Sequence, residues 1–303
     1  MAPTGEGVHA LKVSFAALML TAVIQSVVVA ISGSVALLAD TVHNLSDALT
    51  AVPLGFAFWL ARRPANARYP YGYGRAEDLA GVFIVAMIAV SAAVAVWESV
   101  RRLLDPSDIS NVGWVIAASI VGFAGNELVA SYRIRVGRRI GSAALVADGH
   151  HARTDGLTSL AVLFGAVGVA LGFPLADPIV GLLIAVAILF VLKSAARDIY
   201  RRLMDSVDPP LVAEVEHVLT ATPGVRAVES VRLRWIGHRL FADAGISCDA
   251  GCSLAEAHAV AIDAHHRLLH DIPHLAEAAI HVSPAGEEGH QHHAVLDHHR
   301  VAR

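Results

Sequence analysis

The sequence predicts a membrane-embedded, all-α bundle of six helices followed by a small cytoplasmic α+β domain. Composition indicates the membrane part, because 55% of the 303 residues are hydrophobic and only 17% are charged, whereas soluble domains carry about 25% charged residues. The apolar residues also occur in runs that can cross a bilayer, which requires about 20 residues of helix. A change of composition after Leu203 predicts the second domain.

Six apolar segments predict the membrane-spanning helices. Their approximate bounds are 11–32, 34–60, 76–104, 112–134, 142–171 and 176–199. The second and fifth segments contain polar clusters, but apolar residues on both sides complete each span. The first segment is longer than the apolar part of a signal peptide and lacks a strongly basic start, so we expect it to be retained. We therefore predict an N-terminal tail at 1–10 and a transmembrane domain at 11–203.

Arginine residues predict the orientation in the lipid bilayer. They concentrate in the loops after the second, fourth and sixth spans: Arg62, Arg63, Arg68, Arg75, Arg133, Arg135, Arg138, Arg139, Arg197, Arg201 and Arg202. Short loops rich in lysine and arginine stay in the cytoplasm, so we expect both termini to be cytoplasmic. The absence of an organellar signal and the composition rich in arginine, alanine and valine favour a bacterial inner membrane.

The segment 204–286 predicts an α-β-β-α-β domain, an open-faced sandwich of the ferredoxin-like or metallochaperone-like kind. "DPPLVAEVEHVLTATPGV" has helical periodicity and ends at Pro-Gly. Two strand-like stretches follow and join at "IGH". Ser253 is a good N-cap for the next helix, and "AEAAIHVSP" predicts the last strand. The His-rich tail at 287–303 has no periodicity, so we expect disorder there.

Two polar clusters lie inside the predicted spans: "ADTVHNLSDAL" at 39–49 and "ADGHHARTDGL" at 147–157. Residues four apart share a helix face, so His43 pairs with Asp47 and His151 pairs with Asp155. Two such helices facing each other would supply two nitrogen and two oxygen ligands. That tetrahedral set suits zinc, whereas an all-oxygen set would suit manganese or magnesium better.

The energetics of charge in a membrane support grouping these four side chains around one ion. A lone charge at the bilayer centre costs at least about 2.5–3.5 kcal/mol. Two carboxylates that share one divalent cation form a neutral unit, and protons can take the place of the metal because neighbouring carboxylates raise each other's pKa. Metal and protons then compete for the same ligands, which predicts metal transport coupled to protons.

Other functions fit parts of the sequence less well than transport does. Polar residues can simply join helices by hydrogen bonds, and a membrane metal sensor or structural protein remains an open alternative. "DGHHAR" at 148–153 also fits the start of the CDP-alcohol phosphotransferase motif, but Val162 replaces a required glycine and no carboxylate follows before Asp177. The lack of an HExxH motif disfavours an intramembrane zinc protease, so we expect no enzyme. We also expect no nucleic-acid partner, since the net charge is −4.

From about Leu11 to Pro284 the chain resembles the cation diffusion facilitators of the zinc type. The motifs that carry the resemblance are the two HxxxD pairs, "SGSVALLAD", "YGYGRAEDLAG" and "ADPIVGLLIA". The resemblance implies export of divalent cations, zinc before cadmium, cobalt, iron or manganese, in exchange for protons. It also implies a homodimer and a transport site made by His43, Asp47, His151 and Asp155.

The same resemblance implies a second, regulatory zinc site in the cytoplasmic domain. His258 and His281 match ligand positions of the family, while Gly245 and Ser283 replace other common ligands. Asp243, His238 and Glu229 are possible substitutes for those ligands. Tyr69 and Tyr73 stand where many members have histidines in the loop after the second span. We therefore expect no metal site in that loop.

Several polar residues keep more than one interpretation. Asp40 and Asp148, which precede the two pairs, are either partners of the metal ligands and proton carriers or structural hydrogen-bonding groups. Glu127 either lies on a proton route or pairs with Arg133. Reduced thiols are favoured over metal ligation at Cys248 and Cys252. A solvated tail is favoured over zinc capture by the tail histidines, which are His290, His292, His293, His298 and His299.

Overall fold

The computed structural model describes residues 3–32, 51–104, 112–173 and 175–286, together with the single positions 294 and 298. The chain divides into two compact units, 1–203 and 204–303. The polar part of the second predicted span, with Asp40, His43 and Asp47, lies outside the described residues, and so does almost all of the His-rich tail.

The first unit is entirely helical where it is described. Its helices are α1 (Pro3–Ser32), α2 (described over Ala51–Ala61), α3 (Arg75–Leu104), α4 (Val112–Ile140), α5 (Ala143–Ala170) and α6 (Ala176–Leu203). Within the described residues, parts of α1, α3, α4 and α6 are long and apolar enough to cross a membrane. Helix α5 has a similar length of 28 residues, but its charged cluster lowers its hydropathy. The helical membrane fold predicted from the sequence is confirmed.

Helix α1 begins at Pro3, within the range predicted as a tail. Packing explains the early start. Ala10 and Leu11 are buried, and a Cβ atom added to Gly7 would lie 2.9 Å from the ring of Phe58. Glu6 also forms an ion pair with Arg139, with 2.9 Å between Oε2 and Nη2. Tertiary contacts therefore extend the helix beyond its apolar run.

The membrane unit has apolar side chains both inside and on its surface. Its core draws residues from all six described helices, and its large, fully buried side chains are Leu54, Phe58, Ile84, Ile88, Leu145 and Ile188. Large apolar side chains such as Trp97, Leu128 and Phe190 are nevertheless exposed. Apolar patches of this extent mark an interaction surface, and acyl chains of a bilayer are the partner that these helices fit.

A two-residue turn joins α4 to α5 and makes them antiparallel neighbours. Gly141 ends α4 with φ = +75°, a backbone conformation that favours glycine, and the Ser142 N–H donates to the Gly137 carbonyl at 2.8 Å. The Ser142 hydroxyl then caps α5 by accepting from the Leu145 N–H at 3.1 Å. The short turn limits how far α5 can shift along α4.

Small residues bring the backbones of α4 and α5 close together. A Cβ atom on Gly149 would lie 2.6 Å from Cγ1 of Ile134 and 3.1 Å from the Ala130 carbonyl oxygen. A Cβ atom on Gly137 would lie 2.9 Å from the Val146 nitrogen. Membrane helices commonly use such small residues for close approach. Glycine at these two positions therefore sets the position of α5 against α4.

The second unit has the predicted α-β-β-α-β order. Its elements are α7 (Pro209–Thr220), β1 (Ala227–Ile236), β2 (Arg239–Cys248), α8 (Leu254–Asp271) and β3 (Leu275–Pro284). The strand order is β1-β2-β3, with β1 and β2 antiparallel and β2 and β3 parallel. Helix α8 provides the crossover that a parallel pair needs. The predicted fold of this domain is confirmed.

The helices of the second unit cover one face of its sheet. Val215 and Leu219 of α7 and Ala264 and Leu268 of α8 pack with alternate residues of β2, including Ala244. The N-terminus of α8 carries the predicted Ser253 cap as a full capping box. The predicted joint between β1 and β2 is the Gly237–His238 turn.

Candidate metal centre

His151 and Asp155 lie together on the buried face of α5. The residues are 1% and 3% exposed, and 3.8 Å separates Nδ1 of His151 from Oδ2 of Asp155. Two ligands of a tetrahedral zinc ion, each 2.0–2.2 Å from the metal, are about 3.4 Å apart. The pair therefore fits two adjacent positions of such an ion after a small rotation of either side chain.

Hydroxyl groups around the pair bond to the helix itself. The hydroxyl of Thr154 donates to the His151 carbonyl at 2.6 Å, and that of Thr158 donates to the Thr154 carbonyl at 2.9 Å. Ser159 donates in the same way to the Asp155 carbonyl at 3.3 Å. Such bonds satisfy buried hydroxyls without a partner on another helix. The imidazole and the carboxylate stay the candidate metal ligands of this helix segment.

The other half of the predicted site, His43 and Asp47, lies outside the described residues. Within the described ranges, no group of three or more His, Cys, Asp or Glu side chains is placed to hold a metal ion. The convergence of four ligands from two helices therefore stays a prediction. The described structure contributes one nitrogen and one oxygen to it.

Asp148 forms a buried ion pair with Arg133 of α4. The distance from Nη1 of Arg133 to Oδ2 of Asp148 is 3.0 Å, and their side chains are 1% and 0% exposed. This contact supports a structural role for Asp148, one of the two interpretations that the sequence leaves open. Burial at this depth makes the pair costly to break, since removing one partner leaves an uncompensated charge.

The alternative that Glu127 pairs with Arg133 is wrong. Glu127 instead accepts from Nε of Arg153 at 3.0 Å, and the Ser131 hydroxyl donates to it at 3.0 Å. The cause is the antiparallel packing of α4 and α5. Counted in residues along the chain, Arg133 and Asp148 are nearly equally far from Gly141, and so are Glu127 and Arg153. The short turn was the sequence signal that could have identified both pairs.

A cavity of about 120 Å³ lies between α3, α5 and α6. Thr158 and Val162 of α5 line it, and they continue the helix face that carries Asp155. Two carboxylates, Glu98 of α3 and Asp177 of α6, also line it. Glu98 was not among the candidate residues predicted from the sequence. Its depth in the third span, one turn from the C-terminal end of an otherwise apolar run, was the available signal.

The four candidate ligands of the cytoplasmic domain do not form one cluster. His258 on α8 and His281 on β3 are exposed, whereas His238 is buried in the turn between β1 and β2. Asp243 on β2 is half-exposed, and its Oδ2 lies 3.8 Å from Nη2 of Arg234. In the register, His281 is opposite Gly245. A metal site built from these residues stays a prediction.

Two further residues considered for the cytoplasmic site, Ser283 and Glu229, contact each other. The Ser283 hydroxyl donates to Oε2 of Glu229 at 3.3 Å.

Cys248 and Cys252 are free thiols. Burial, followed by the charge of Cys252, raises the pKa of the Cys248 thiol. The raised pKa disfavours the thiolate form, which is the form that binds metal. In the loop after α2, Asn66 donates to the Tyr73 hydroxyl at 2.9 Å.

Comparison with known proteins identifies both units. Residues 11–204 match the Cation efflux transmembrane domain, and residues 207–285 match the Cation efflux protein, cytoplasmic domain. The chain is 62% identical over 282 residues to a "Probable cation efflux system protein" of Mycobacterium tuberculosis, covering 93% of this chain and 85% of the relative.

More distant relatives have names that refer to different roles. The Magnetosome protein MamB of Magnetospirillum gryphiswaldense is 27% identical over 84% of this chain and 86% of the relative. The Manganese efflux system protein MneP of Bacillus subtilis is 23% identical over 85% of this chain and 89% of the relative. Among solved structures, the nickel form of a MamM CTD variant is 18% identical, covers 26% of this chain and all of that chain, and has a TM-score of 0.26.

Proposed function

Because the chain belongs to the cation efflux family, the cation diffusion facilitators, we propose that it exports zinc from the cytoplasm in exchange for protons. The family transports divalent metal cations, so the enzyme alternative, a CDP-alcohol phosphotransferase, is wrong. The choice of zinc, the coupling to protons and the site of His43, Asp47, His151 and Asp155 belong to the proposal.

The observation that carries the proposal is the buried pair of His151 and Asp155 on α5. An imidazole nitrogen and a carboxylate oxygen 3.8 Å apart suit a borderline cation such as zinc better than they suit manganese. The same HxxxD spacing at His43 and Asp47 supplies the matching half. Cadmium, cobalt, iron and manganese are secondary substrates of the same site.

In the exchange of metal for protons, His151 and Asp155 of α5 would bind the two kinds of ion in turn. With the metal bound, the Asp155 carboxylate and the His151 imidazole hold the cation and are both deprotonated. When protons arrive from the other side of the membrane, they occupy these two groups and displace the cation. Burial keeps bulk water away from the pair, so the metal and the protons occupy the same groups in turn.

The proposal includes the arrangement of the whole protein. Both termini face the cytoplasm, as the arginine distribution predicts, and the protein works as a homodimer in a bacterial inner membrane. The match of residues 207–285 to the cytoplasmic domain of the family supports dimer formation by that domain. Zinc bound by His258 and His281, with Asp243 or His238, would regulate transport there.

The test compares zinc flux into proteoliposomes under a pH gradient for the wild type and Asp155→Ala. We expect Asp155→Ala to lose at least about 100-fold in flux, since truncation removes one of four ligands and a proton acceptor. Asp263→Ala, which removes a half-exposed carboxylate on α8 that pairs with Arg267, is the matched control and should keep normal flux.

Normal flux in Asp155→Ala would refute the assigned site. Zinc binding without flux in the wild type would instead support the alternative of a membrane metal sensor. Flux that does not change when the pH gradient is reversed would refute the coupling to protons.

A further inference from the structure

The ion pair between Arg133 and Asp148 lies next to the proposed transport site. Asp148 precedes His151 by three residues and Asp155 by seven, so all three lie on one side of α5. At 3.6 residues per turn, the directions of Asp148 and Asp155 differ by only about 20°. The two carboxylates differ in their partner, because Asp148 is engaged by a guanidinium from α4 at 3.0 Å.

The charges of this pair are shielded from water. Both side chains are at most 1% exposed, so their fields reach further than those of surface charges. Nε and Nη2 of Arg133 have no hydrogen-bond partner within the part of the chain that the structure describes. In that part, Asp148 is the carboxylate that offsets this buried positive charge.

We propose that the Arg133–Asp148 pair sets the cation affinity of the transport site. The inference rests on the proposed function. Asp148 adds a negative charge within two helical turns of the metal, which strengthens cation binding. Arg133 offsets that charge, so the site stays weak enough to release its cation. Arg133 and Asp148 are thus positioning residues for the charge around the site, and neither contacts the metal.

A purely mechanical role gives different expectations. If the pair only fixed α5 against α4, loss of either partner would disturb the ligands in the same way and weaken cation binding in both variants. The electrostatic role predicts opposite changes, because one variant leaves a buried positive charge and the other a buried negative charge.

The experiment measures zinc flux in proteoliposomes as a function of zinc concentration. Asp148→Asn should raise the KM for zinc by on the order of tenfold, because the uncompensated guanidinium repels the cation. Arg133→Met should lower both the KM and the maximal rate, because the cation is held more tightly and leaves more slowly. The double variant, which carries neither charge, should return the KM to within about threefold of the wild type.

A matched control exists on the same two helices. Glu127 and Arg153 also join α4 to α5, but their side chains are 35% and 33% exposed. Arg153 is two residues from both His151 and Asp155, so it lies on the opposite side of α5 from them. Glu127→Gln and Arg153→Gln should therefore each change the KM by less than about threefold. Effects as large as those of the buried pair would overturn the proposal.

The charge-swapped protein, Arg133→Asp with Asp148→Arg, decides the question if a single variant fails to fold. It keeps an ion pair but places the positive charge on α5 near His151, so we expect a raised KM; an unchanged KM overturns the proposal. KM changes of the same sign in both single variants also overturn it. Asp155→Ala, measured in the same experiment, distinguishes failure of this proposal from failure of the proposed function, because normal flux in that variant would refute the transport site itself.

Discussion

The two regions that carry candidate metal ligands differ in how they present them. In the membrane unit, His151 and Asp155 are buried on a helix that is held against α4 by glycine contacts and an ion pair. In the cytoplasmic unit, His258 and His281 are exposed on separate elements of a small domain. Packing therefore fixes the two buried candidates in one arrangement, whereas the two exposed candidates are less constrained by their neighbours.

This difference predicts where a histidine matters most. His151→Ala should reduce zinc flux at least about 100-fold, because a buried nitrogen ligand has no nearby replacement. His281→Ala removes an exposed candidate of the regulatory site and should change flux by less than about threefold, since this residue would modulate transport without lying in the transport site. Both are measured as initial zinc uptake by proteoliposomes. Equal losses in the two variants would remove the distinction between the regions.

The chemical nature of the buried ligand should set metal preference. His151→Asp replaces a nitrogen by an oxygen ligand and should shift the ratio of zinc to manganese transport toward manganese by about tenfold. His43→Asp should act in the same direction if both histidines contact the same ion. Competition between the two metals in one vesicle preparation measures the ratio. An unchanged ratio in His151→Asp would count against this residue as a ligand.

The close contact between α4 and α5 should be sensitive to one methyl group. Gly149→Ala places a Cβ atom 2.6 Å from Ile134 and should cost about 1–3 kcal/mol of stability. Gly5→Ala is the control, because nothing lies within 4 Å of a Cβ atom there. The melting temperature in detergent should fall for the first variant only. A fall of the same size in Gly5→Ala would show that the contact is not the cause.

The smallest effect is expected at the exposed capping box of α8. The Ser253 N–H, followed by the Ser253 hydroxyl, lowers the pKa of the Glu256 carboxyl. Because the pKa is lowered in the folded state, the charged carboxylate stabilises the helix start at pH values above its ordinary pKa of about 4.3. This stabilisation is lost as the pH falls through the pKa of the folded state. Hydrogen exchange at the start of α8 should therefore be faster in Glu256→Gln than in the wild type at pH 7, and the two should converge as the pH falls below the lowered pKa of Glu256. No difference at pH 7 would contradict the role of the box.

Periodicity and composition were sufficient to predict most of the fold. The apolar runs predicted the membrane helices, and the Ser253 cap and the Gly237–His238 turn placed the elements of the cytoplasmic domain. The partners of Glu127 and Arg133 were not predictable in the same way. They depend on the axial register of two helices, which the Gly141 turn and the close contacts at Gly137 and Gly149 determine.

The candidate sites were likewise predictable only where they depend on spacing within one element. The spacing of His151 and Asp155 predicts a shared helix face, because three to four residues make one turn. Spacing along one helix carries no information on how His43 and Asp47 approach from another. The cytoplasmic candidates come from three elements whose separation depends on tertiary packing, and the sequence alone does not determine it.

The short turn between α4 and α5 bears on how the protein enters the bilayer during synthesis. Helix α5 carries Asp148, Arg153 and Asp155, and each charge would cost about 2.5–3.5 kcal/mol if it met lipid alone. A hairpin closed at Gly141 brings Arg133 to Asp148 and Glu127 to Arg153 as soon as it forms. Partitioning of the two helices together therefore leaves fewer unpaired charges in the acyl chains than stepwise release from the translocon would.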